Sequence, residues 1–117
     1  MKIRLSIHGQ EALATLHDTP TARDFAALLP LTLTVTDYAA TEKVSDLPRR
    51  LTRDGAPPGY AASAGDLTYY APWGNLAIFT RDFQHAAGLI PLGRIDAGRE
   101  ILDPPGALSA TLARVDG

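Results

Sequence analysis

The chain has 117 residues and a mass of 12.5 kDa, the size of one domain able to bury a core without disulfide or metal support. Hydrophobic residues make up 45% and charged residues 21%, which argues against disorder, and eleven Lys and Arg against thirteen Asp and Glu give no electrostatic footprint for nucleic acid or an anionic membrane. The absence of cysteine removes thiol nucleophiles, thiolate metal sites and any disulfide framework.

Met1 to His8 alternates polar and apolar residues instead of presenting a continuous apolar segment. No apolar run approaches membrane-spanning length, so a cytoplasmic location and no membrane partner are expected. Ile3, Leu5 and Ile7 share one face, Gly9-Gln10 reads as a turn, and Ala12, Ala14 and Leu16 share a face of a second strand, which predicts an N-terminal hairpin. Thr19 is placed to cap free amides and Pro20 suits a first helical turn. Ala22, Phe25, Ala26 and Leu29 fall at helical spacing and Pro30 stops the segment, which predicts one short helix over about residues 20–29. Leu31, Leu33 and Val35 then alternate with threonines in a half-buried antiparallel strand.

From Tyr38 to Ala64 the chain is dominated by turn chemistry around Leu47-Pro48 and Gly55-Ala56-Pro57-Pro58-Gly59. A long loop excursion is expected, anchored by Val44 and Leu47, with Lys43, Arg49, Arg50 and Arg53 in water. Leu67 to Ala71 and Asn75 to Thr80 read as two strands about a Pro72-Trp73-Gly74 turn. The stretch from Gly65 to Thr80 holds the single tryptophan, two of four tyrosines and one of three phenylalanines. Leu89 to Ile95 reads as a strand with a proline bulge. A short helical turn is expected near residues 96–102, and a closing strand carries Leu108, Ala110 and Leu112. Nothing divides the chain, so residues 1–117 are expected to form a single domain. Many short strands, one helix and glycine-rich turns predict a mainly β fold, a closed or nearly closed antiparallel barrel that leaves few exposed edges.

The sequence resembles the small bacterial cyclophilin-like domains. The resemblance rests on Pro20-Thr21-Ala22-Arg23-Asp24-Phe25 leading to Leu29-Pro30-Leu31, on Tyr38 to Lys43, on Gly55-Ala56-Pro57 with Gly59-Tyr60, and above all on Gly65 to Phe79. It implies a closed eight-stranded antiparallel barrel of cyclophilin type, related in fold to peptidyl-prolyl isomerases. Those enzymes carry an arginine in a Phe-His-Arg strand motif, where its guanidinium favours the twisted prolyl amide. This chain has no such triplet, so no residue takes that role and classical isomerase catalysis is not expected.

The aromatic segment instead suggests a ligand cleft formed by Tyr69, Trp73, Asn75 and Phe79, with His85 within reach and Tyr60 and Phe83 as further candidates. Tyr69 and Tyr70 are adjacent in a strand and point to opposite faces, so at most one lines it. His8, His17 and His85 show no metal-ligand spacing, no serine has an activating context, and the glycines match no phosphate-binding pattern. No metal or other cofactor is therefore expected. The leading functional reading is a binding module for a peptide, possibly proline-containing, or a small molecule. The alternatives are a weak isomerase or other enzyme using Arg23, Arg81 or Arg94, and a homo-oligomer whose subunit contact is the patch around Trp73.

Overall fold

The computed structural model describes residues 1–115. Strand β1 (Lys2–Ile7) and strand β2 (Gln10–Leu16) form the expected hairpin, in which Ile3 lies opposite Ala14 and Leu5 opposite Ala12 on the buried face. Helix α1 (Pro20–Ala26) follows; the Thr19 hydroxyl accepts a hydrogen bond from the Ala22 amide at 3.2 Å, and Pro20 occupies the first turn. The helix is shorter than the expected 20–29, because its last amides bond back to Arg23 and Phe25 and the chain turns before Pro30.

The remaining strands are β3 (Leu31–Tyr38), β4 (Glu42–Asp46), β5 (Gly59–Ala61), β6 (Asp66–Tyr70), β7 (Asn75–Phe79), β8 (His85–Ala87), β9 (Leu89–Ala97) and β10 (Leu108–Arg114). Eight of them close into an antiparallel ring in the order β1-β10-β3-β4-β7-β6-β9-β2, the eight-stranded barrel read from the sequence. A 3₁₀ turn at Arg99–Leu102 is shorter than the expected 96–102, since Asp96 and Ala97 continue β9. α1 follows the end of β2 while this turn packs at its start, so the two cap opposite mouths of the ring. Phe25 from one and Ile101 and Leu102 from the other join the interior core of Leu5, Leu67, Tyr69, Leu76, Ile78 and their neighbours. Among the described residues no helix is long and apolar enough to cross a membrane.

The stretch expected as loop, 38–64, contains β4, which completes the ring between β3 and β7. Lys43 is correspondingly not in water. Its strand directs it inward opposite Ile78, where it is 2% exposed and pairs with Asp37 at 2.7 Å while donating to the carbonyls of Pro104 and Gly106 at 2.8 and 3.1 Å. A buried ammonium is tolerable only with such a complete set of acceptors. At the β2–β9 seam, Gly93 lies so close to its neighbour that a Cβ there would overlap the Thr15 carbonyl oxygen.

β5 and β8 stand outside the ring as a two-stranded ribbon. Beneath it Ala77, Phe79 and Leu89 form a second, smaller cluster with Tyr60, Tyr70, Phe83 and Val44. β7 is consequently buried on both faces, Leu76 and Ile78 within the barrel and Asn75, Ala77 and Phe79 beneath the ribbon. This second layer on the outer wall creates the candidate site.

Candidate functional site

The cleft lies on the outside of the barrel, between the wall made by β3, β4, β7 and β6 and the ribbon, and has a volume of about 310 Å³. Strand alternation selects its floor. Tyr38 lies directly opposite Glu42, and Glu42 directly opposite Phe79, so one outward row runs aromatic–carboxylate–aromatic across three strands. Tyr70 lies opposite Asn75 in the same way across the β6–β7 hairpin.

Trp73 overhangs this floor from the turn and is 53% exposed as a residue. Tyr38 and Tyr70 meet it edge-on at centroid distances of 5.4 and 5.3 Å, a favourable quadrupolar arrangement that fixes the indole while leaving it accessible. The turn is held by Gly74, whose φ of 66° suits glycine and whose amide reaches the Tyr70 carbonyl at 2.9 Å, and by Arg50, which donates to the Ala71 carbonyl at 2.7 Å. Phe79 packs on Phe83 at 5.7 Å further along the wall.

The ribbon is fastened to the ring by Asp66. This carboxylate is 1% exposed and accepts from Arg94, the Tyr60 hydroxyl and the Ser63 amide at 2.6, 2.8 and 2.8 Å. Burial, with the Asp66 hydrogen bond, pushes the Tyr60 hydroxyl pKa up to about 12, so it stays a donor at every physiological pH. His85 enters the cleft lining from β8, its ring resting on Gly59, where there is no room for a Cβ.

Two polar groups in the cleft are incompletely partnered. Asn75 is 5% exposed, and its Oδ1 is buried without a hydrogen bond, which is rare in a folded chain. Glu42 is half-buried and forms no ion pair among the described residues; burial raises its pKa, and the Thr41 hydroxyl, 3.5 Å away, offsets this only in part.

Of the residues singled out in the sequence, Trp73, Asn75, Phe79 and His85 are brought together on this cleft. Tyr69 is not. It points into the barrel, 1% exposed, and its hydroxyl accepts from the Leu51 amide at 3.1 Å, while its neighbour Tyr70 takes the outward position. Tyr60 supports the ribbon, and Phe83 lines the cleft. The sequence alone does not point to Tyr38 and Glu42, because the end of β3 and all of β4 fall within 38–64, and β4, with one apolar residue in five, carries no hydrophobic alternation to mark it as a strand. Arg23 pairs with Asp18 and Arg94 with Asp66, and neither these nor Arg81 line the cleft. Among the described residues no group of three or more His, Asp or Glu side chains is placed to hold a metal ion.

Fold and site together define a small closed antiparallel barrel with an aromatic cleft on its outer wall. The chain belongs to the cyclophilin-like family, which it matches over residues 5–113. Among solved structures it is similar to a hypothetical protein from Archaeoglobus fulgidus determined in solution, with a TM-score of 0.72 and 18% identity over 98% of this chain and 95% of that one. At that identity the likeness concerns the fold. No curated protein matches the chain.

Proposed function

We propose that the protein is a binding module that holds a small molecule or a short peptide segment, proline-containing segments included, against Trp73 without rearranging its bonds. The observation that carries this reading is the composition of the cleft: an accessible indole braced by Tyr38 and Tyr70, with Phe79 and Phe83 beside it and no arginine or lysine in the lining. Flat apolar groups bind well to such faces. Stabilising a twisted prolyl amide requires a donor aimed at the reacting group, and the three arginines considered for that role lie elsewhere.

The test is a titration of the intrinsic fluorescence of Trp73 with a set of proline-containing peptides and small aromatic compounds, beside a protease-coupled isomerisation assay on the same peptides. Saturable quenching without rate acceleration is the expected result, and Trp73→Ala should abolish the binding measured by calorimetry. Acceleration of isomerisation would replace this reading with an enzymatic one.

A further inference from the structure

The cleft is unusual in what it leaves uncompensated. A floor of aromatic rings would by itself suit any flat apolar ligand, yet this one holds a carboxylate between two of them. Glu42 projects from the outer face of β4 with Tyr38 directly across on one side and Phe79 on the other. The lysine next to it in sequence, Lys43, points the opposite way and is fully engaged with Asp37 and the carbonyls of Pro104 and Gly106. No basic side chain therefore answers Glu42 from its own strand, and the cleft lining contributes no lysine or arginine, only the imidazole of His85.

The second observation is independent of the first. Asn75 Oδ1, also in the lining, is a buried acceptor with no donor. An orphaned buried acceptor costs stability, and a carboxylate partly withdrawn from water costs more; the carboxylate, which faces the cleft, makes sense where a ligand brings a donor to it. Acceptors surrounded by aromatic faces select a particular chemistry. Ring faces present negative potential and attract cations, and a carboxylate within the same enclosure adds a direct counter-charge. An anionic ligand would meet repulsion from Glu42, and a wholly apolar one would bury the carboxylate further without an answer.

We infer that the cleft is a site for a small organic cation, an amine or ammonium group carried on a flat apolar frame, with the apolar frame against Trp73 and the positive group beside Glu42. This rests on the reading of the cleft as a binding site and narrows its ligand. The volume of about 310 Å³ lies at the small end for ligand pockets and favours a small molecule over an extended peptide.

Three compounds with one phenyl-ethyl frame separate the possibilities: phenethylamine, a cation at pH 7.5; 2-phenylethanol, neutral; and phenylacetate, an anion. Trp73 supplies the only indole N–H signal of the chain, so a ¹⁵N-labelled sample reports binding at the cleft directly. The expected result is a saturable shift with a Kd for phenethylamine about tenfold below that for 2-phenylethanol. Phenylacetate should bind more weakly than either. In Glu42→Gln, which keeps the side-chain shape, the amine should lose its advantage while 2-phenylethanol binds as before. Equal binding of amine and alcohol, tighter binding of phenylacetate, or an amine preference that survives in Glu42→Gln would overturn the cationic assignment and leave the binding cleft standing. Tighter binding of acetyl-Pro-Lys-amide than of phenethylamine would overturn the assignment to a small molecule. No response of the indole to any of the compounds would remove both the inference and the reading it rests on.

Discussion

Adjacent residues divide the labour of this protein. Tyr69 and Tyr70 differ by one position in β6, and the strand sends the first into the barrel and the second to the ligand side. That one of them must be core was legible from the sequence; which one was not, because both neighbours of an aromatic pair look alike until the register with Leu67 and Leu76 is known. Removing the Tyr69 hydroxyl in Tyr69→Phe leaves the buried Leu51 amide without an acceptor and should cost about 1–2 kcal/mol in denaturant unfolding, with the cleft unaffected. Glu42 behaves in the opposite sense. Its folded pKa is raised, so the native state holds a proton more readily than the unfolded chain, and stability from this group grows as pH falls through the folded value. At neutral pH the ionised group works against folding. Glu42→Gln should therefore raise the Tm slightly at pH 7, by the equivalent of less than about 1 kcal/mol, with the gap closing towards pH 4. A side chain that lowers stability is one whose presence the fold alone does not explain.

At the scale of elements, the hairpins and α1 were readable because each carries its own signal, period-two alternation or a cap followed by period 3.6. β4 was not, since Glu42-Lys43-Val44-Ser45-Asp46 has one apolar residue in five and earns its strand identity only by pairing on both sides with β3 and β7. The inward position of its alternation is filled by a lysine that substitutes three specific acceptors for hydrophobicity. The ribbon was equally hidden, because β5 and β8 are three residues each and separated by two strands of the ring. Close approach is the limiting condition at the β2–β9 seam. Gly93→Ala would drive a methyl group into the Thr15 carbonyl and should destabilise the protein by about 2–3 kcal/mol, measured by urea unfolding, with the loss seen also in the β2 amide shifts.

For the molecule as a whole, closure of the ring was legible from many short strands with few protected edges, whereas the cleft could be placed only after the ribbon was known, since it exists between two layers that the sequence presents as unrelated segments. The surface charges support the same architecture at its ends. Asp24 is held below the usual carboxylate range by Arg49 and the Thr52 amide, Asp37 by Lys43 and the Gly106 amide, and Asp96 by Lys2 and the Thr15 hydroxyl. Because each folded pKa is lowered, the stability these groups contribute is present above the ordinary carboxylate range and is lost as pH falls through the folded values. Thermal unfolding followed from pH 7 to pH 2 should show a plateau above about pH 5 and a steep fall below pH 4. Raising the salt concentration should shrink that fall, because all three carboxylates sit at the surface.

The ribbon stands outside a ring that is already closed, and this separates two clocks in one small chain. Every strand of the ring is bonded on both flanks, so its inner amides exchange with solvent only when the barrel itself opens, whereas β5 and β8 have only each other and can part while the ring stays shut. In deuterium exchange the amides of 59–61 and 85–87 should be replaced well before those of β7 directly beneath them. A ligand seated against the ribbon, as proposed above, would slow the exchange of 59–61 and 85–87 and leave that of β7 unchanged, so the cover would report the guest that the wall cannot.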